Sequence, residues 1–81
     1  MDIRKKIIEI IALNSDIQNV REYLENNNDL TKLAINSISF IKIVVGIEKE
    51  FDFEFDEEEL DFNKYVFLNM LCNYVQEKTQ K

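Results

Sequence analysis

The stretch from Ser37 to Phe51 constrains this chain more than any other. Its apolar residues Ile43, Val44, Ile47 and Phe51 follow helical spacing, with Phe40 at the upper edge. Ile38, Ile41 and Val45 form an adjacent strip at spacings of three and four. A period of 3.6 over fifteen residues predicts an amphipathic helix with one face in a core. Asn36 or Ser37 supplies its N-cap, because a short polar side chain there accepts from a backbone N–H that has no partner within the helix.

The rest of the chain arranges itself around that helix. Ile3, Ile7, Ile10 and Ile11, with Ile8 beside them, predict a first helix from Asp2 to Asn14, capped by Asp2. Residues 15–36 read as a long ordered loop. Val20, Tyr23 and Leu24 allow a helical turn, the run Asn26–Asp29 favours loop, and Leu30, Leu33 and Ile35 anchor the loop to the core. Asp52–Asp56 alternates like a strand but has no partner strand, so it reads as an extended connection burying Phe53 and Phe55. The acidic run Asp56–Glu59 carries a capping-box pattern and starts a short third helix to Phe62. A last helix from Asn63 to Lys78 turns Tyr65, Leu68, Leu71, Cys72 and Val75 inward, with Lys78 and Lys81 near its end. Cys72 reads as a buried small hydrophobe, and the three tyrosines as packing residues with their hydroxyls toward water. The expected fold is all-α, one domain over residues 1–81. It is a small four-helix bundle with three longer helices, a short third one, and the long loop between helices 1 and 2.

Composition excludes more than it assigns. The chain has 81 residues, one cysteine, one glycine, no histidine and no proline. Without histidine, the usual general base near neutral pH is missing. One glycine excludes a glycine-rich phosphate loop. One cysteine without histidine speaks against zinc, and the lone thiol fits a reducing cytoplasm. The expectation is a monomeric, cytoplasmic, non-catalytic protein. The net charge of −6 repels nucleic acid and favours partners with basic surfaces. No apolar run reaches the ~20 residues of a membrane span, and the first residues do not read as a signal peptide.

Leu33-Ala34-Ile35-Asn36-Ser37-Ile38 resembles the Leu-Gly-Leu-Asp-Ser-Leu signature of acyl and peptidyl carrier proteins. The likeness continues without a gap through Ile43–Phe51, which looks like that family's second helix, and it covers essentially the whole chain. The resemblance implies that Ser37 carries 4′-phosphopantetheine, donated from coenzyme A by a separate phosphopantetheinyl transferase. The thiol of that arm would hold acyl or aminoacyl groups as thioesters for loading and processing enzymes. Asn36, Ile38, Ile41, Lys42, Val45, Glu48 and Lys49 are then the partner-facing candidates. Leu33, Ile35 and Phe40 would flank the arm or its cargo. Three positions depart from the family pattern. Asn36 replaces the aspartate, Ala34 replaces the glycine, and Val66-Phe67 stand where a small hydroxyl residue usually opens the fourth helix.

The surface offered by Ser39, Lys42, Glu48, Lys49 and Glu50 is of mixed sign, where fatty-acid carriers tend to be strongly acidic. That favours a stand-alone carrier of nonribosomal peptide, polyketide or other specialised biosynthesis. The alternatives are a fatty-acid synthesis carrier, or a helical interaction module of the same fold that is never modified.

Overall fold

The computed structural model describes residues 2–79. Four α-helices form: α1 (Ile3–Leu13), α2 (Val20–Asn26), α3 (Ser37–Phe51) and α4 (Leu68–Thr79). Three 3-10 turns lie between them, at Leu30–Leu33, Glu57–Glu59 and Phe62–Lys64. No strand occurs among the described residues, and one isolated antiparallel bridge joins Asp29 to Phe67. The fold is therefore the all-α helical bundle that the periodicity predicts.

α1 packs against α2, α3 and α4, so its isoleucines form the centre of the core. Ile7 and Ile11 meet Leu24, Ile47, Leu68, Leu71 and Val75 in the fully buried set. The only glycine, Gly46, lies on α3 against Ile10 of α1. A Cβ on Gly46 would lie 2.9 Å from Cγ2 of Ile10, too near for a β-branched side chain to yield easily. As expected, Asp2 caps α1, its carboxylate accepting from Lys5 N–H at 3.1 Å.

Several boundaries differ from the sequence reading. The long loop contains α2, a two-turn helix that buries Val20 and Leu24. No short α-helix spans 57–62. Two separate 3-10 turns stand there, and the capping box is not made. Asp56 instead accepts from Lys78 Nζ at 3.0 Å and from the Tyr74 hydroxyl at 3.2 Å, which ties this turn to the end of α4. That end carries Lys78, as expected, while Lys81 lies outside the described residues.

α4 starts at Leu68, five residues later than the pattern suggests, because its N-terminus is satisfied from far away in sequence. The Asn28 carbonyl accepts from Leu68 N–H at 2.7 Å, and its side chain accepts from Asn69 N–H at 2.8 Å. Asn28 thus performs the capping that Val66 and Phe67 cannot.

Cys72 is half-buried, and burial pushes its thiol up, away from the reactive range. Phe55 is buried and Phe53 half-buried, stacked on each other at 5.4 Å between ring centroids.

The tyrosine hydroxyls turn to protein acceptors rather than to water alone. Tyr23 donates to the Asp29 carbonyl at 2.8 Å and Tyr65 to Glu59 Oε2 at 3.0 Å. Burial, reinforced by Glu59, pushes the Tyr65 phenol far above its ordinary value. A raised folded-state value means that the neutral phenol favours folding. Its contribution is complete below the unfolded value of about 10 and is lost as pH rises beyond it. Urea midpoints measured at increasing alkaline pH should therefore fall for the wild type and fall less for Tyr65→Phe.

Candidate functional site

The chain approaches Ser37 through a sequence of local constraints. Asp29 accepts from Thr31 N–H at 2.9 Å and also from the Thr31 hydroxyl. These two bonds hold its carboxyl below the usual carboxylate range and start the 3-10 turn Leu30–Leu33. Leu30 and Leu33 are buried and pin the turn to the core. Ala34 then adopts a left-handed conformation, with φ 52° and ψ 37°, and redirects the chain toward α3.

Positive φ at an alanine is strained by roughly 1–2 kcal/mol. The side chain is exposed, so no packing offsets that strain. Ala34→Gly should raise the unfolding free energy by about 0.5–1 kcal/mol, after allowing for glycine's greater unfolded-state entropy. Urea denaturation measures this, and Ala34→Val should shift the midpoint the other way.

Ser37 is the first residue of α3, and Asn36 is its N-cap. The Asn36 side-chain oxygen accepts from Ser39 N–H at 2.8 Å, and its carbonyl accepts from Phe40 N–H at 2.8 Å. Of the two cap candidates, the structure selects Asn36, which leaves the Ser37 hydroxyl free of that duty. Ser37 is exposed, and its hydroxyl has no hydrogen-bond partner among the described residues. The backbone N–H groups of Ser37 and Ile38 likewise meet no acceptor there. Two unpaired donors and the positive end of the helix dipole therefore lie beside an accessible alcohol.

The other predicted residues divide into three sets. Ile38, Ile41 and Val45 are 70%, 49% and 40% exposed and form an open apolar strip running from Ser37 along α3. Lys42 and Lys49 are exposed beside it. Glu48 is half-buried, its Oε2 accepts from Phe55 N–H at 2.9 Å, and it lines a surface hollow with Val45 and Lys49. That bond fixes the connection after α3.

Leu33 and Ile35 line a cleft of about 140 Å³ together with Asn36 and Ser39, and Ser37 is not among its lining residues. Asn14–Ile17 after α1 line the same cleft, which brings that segment near Asn36, a proximity that sequence reasoning did not anticipate. No local pattern announces a contact between segments so far apart. Phe40 does not flank the site. It is buried, 5.7 Å from the Phe62 ring and 5.8 Å from Tyr65, centroid to centroid.

Comparison with known proteins shows the family. Residues 5–75 match the family described as the phosphopantetheine attachment site. The chain belongs to that family. It is also 30% identical over 80 residues to the acyl carrier protein of Buchnera aphidicola subsp. Schizaphis graminum (strain Sg), a match covering 99% of this chain and 98% of that one. No solved structure matches.

Membership of this carrier family brings a covalently bound 4′-phosphopantetheine as prosthetic group. The residues present at the start of α3 fit such a group. An exposed hydroxyl is available for the ester, and unpaired N–H donors are available for a phosphate oxygen. Among the described residues no helix is long and apolar enough to cross a membrane.

Proposed function

We propose that Ser37 is the attachment residue, and that the chain is a non-catalytic carrier presenting thioester-bound intermediates to separate enzymes. The observation that carries this reading is the position of Ser37. It is an exposed, unpartnered hydroxyl on the first residue of α3, inside the segment that matches the family. A phosphopantetheinyl transferase would catalyse the modification with coenzyme A and magnesium. The Ser37 oxygen forms the new phosphodiester bond as the adenosine bisphosphate of coenzyme A departs, and its proton passes to a base of the transferase. A chain without histidine can therefore take part without supplying that base. Once attached, the arm supplies a terminal thiol that exchanges acyl groups as thioesters.

Similarity to an acyl carrier protein supports an acyl cargo. The lysines on α3 support a partner set of specialised biosynthesis, of nonribosomal peptide or polyketide type, over the fatty-acid one. Contacts with each partner must be brief, so interfaces at the small end of the usual range are expected. Incubation with coenzyme A, magnesium and a broad-specificity transferase tests the reading. Intact mass should rise by one phosphopantetheinyl group on the wild type and by none on Ser37→Ala. A wild-type chain that stays unmodified with several transferases would instead support an interaction module.

A further inference from the structure

The cleft of about 140 Å³ takes part of its lining from Asn36 and Ser39, the residues that bracket Ser37, so an arm on Ser37 starts beside it. Its apolar lining belongs to the core. Ile11, Leu33 and Ile43 are buried, and Ile35 is half-buried. The first turn of α3 has no comparable space around Phe40, which packs on the rings of Phe62 and Tyr65. Size limits what the cleft can take. A cavity of about 150 Å³ holds benzene, so this one suits a group of about six heavy atoms. A long alkyl chain would leave most of its length in water.

Charge limits it further. Asp16 is the one charged side chain of the lining, and it enters no hydrogen bond or ion pair among the described residues. It follows the C-terminus of α1, the negative end of that helix dipole. The last turn of α1 contains no basic residue to offset that end. The start of α3 contributes donors instead. The amide nitrogen of Asn36 and the hydroxyl of Ser39 meet no acceptor among the described residues, so both are free to donate. An acyl thioester with an amino group presents the matching pair, an ammonium and a carbonyl oxygen. A carboxylated acyl unit would meet Asp16 as a like charge.

We infer that this cleft holds the cargo of the arm between enzymes, and that it favours a small acyl unit bearing an ammonium group, with Asp16 as its charge partner. The inference rests on the carrier reading and specifies the cargo.

The test loads the full chain, through a broad-specificity transferase, with pantetheine analogues carrying alanyl, propionyl or malonyl groups in a stable amide linkage. Intact mass verifies one loaded arm. Backbone amide NMR spectra are then compared with those of the chain bearing the bare arm. Alanyl should shift the resonances of Ser15, Asp16 and Ser39 most, propionyl less and malonyl least. With the corresponding thioesters, the alanyl form should survive in neutral buffer about threefold longer on the wild type than on Asp16→Asn, the scale an exposed ion pair allows. The propionyl thioester should not respond to that substitution. Asp16→Lys should pass the advantage to malonyl. Asp16 is exposed, so both variants should keep a thermal midpoint close to the wild type's. A loaded wild type whose three spectra match that of the bare arm, or alanyl shifts that persist in Asp16→Lys, would overturn the inference and leave the carrier reading standing. A wild-type chain that accepts no arm overturns the carrier reading itself.

Discussion

Leu24→Ala is expected to remove about 3–4 kcal/mol of stability in urea denaturation. Leu24 is 0% exposed, and α2 packs it against α1. Truncating a buried leucine loses its transfer free energy and leaves a cavity, together about 2–5 kcal/mol. A domain of this length has a total of only about 4–12 kcal/mol. The variant should therefore be partly unfolded at modest temperature. The exposed neighbour Glu25, changed to alanine, should stay within about 0.5 kcal/mol of the wild type. A small effect at Leu24 would show that α2 does not belong to the core.

Phe40→Ala is expected to be as severe, about 3–5 kcal/mol. Its ring is 5% exposed, meets Phe62 edge-on and stacks on Tyr65. Tyr65 continues into a cluster with Phe55 and Tyr74, whose rings lie 5.0 Å apart. Offset and edge-to-face pairs add to the area effect, so Phe40→Leu should recover only part of the loss. Phe40 lies three residues after Ser37, and its N–H closes the first turn of α3 on the Asn36 carbonyl. Loss of the ring should therefore loosen that turn and slow arm transfer to Ser37, beyond what the folded fraction explains. Transfer rates at a temperature where both variants remain folded measure this, and unchanged rates would separate the aromatic cluster from the site.

The two predictions mark where the sequence was legible and where it was not. α1 and α3 have long apolar stripes and caps supplied by the adjacent residues Asp2 and Asn36, so periodicity and cap chemistry located both. α2 is only seven residues long and begins at Asn19, in a left-handed conformation with no side-chain cap. A helix that short forms because Val20 and Leu24 pack onto α1, which local pattern does not display. The start of α4 was hidden for a related reason, since Asn28 satisfies it from 41 residues away. The Asp56–Glu59 run looked like a helix start because its acids sit at capping spacing. In the fold Lys78 and Tyr74 take the Asp56 carboxylate instead.

At the site, the apolar strip was legible because it follows directly from helical spacing, whereas Ser37 stood out only through the resemblance of Leu33–Ile38 to the carrier signature. Two features were not legible. The left-handed conformation of Ala34 depends on how the buried turn Leu30–Leu33 must join α3, and alanine itself gives no signal of it. The bond from Phe55 N–H to Glu48 depends on the path taken after α3, which helical spacing does not display.

The central claim concerns which oxygen bears the arm, and peptide mapping of the protein isolated from its own cells tests it most directly. Cleavage after Lys32 and Lys42 yields one peptide containing both Ser37 and Ser39, and fragmentation within it distinguishes the two. The account predicts a phosphopantetheinyl group on Ser37 and an unmodified Ser39, whose N–H is held by Asn36 at the half-buried side of the turn. A peptide that is uniformly bare, or one modified elsewhere, would contradict it.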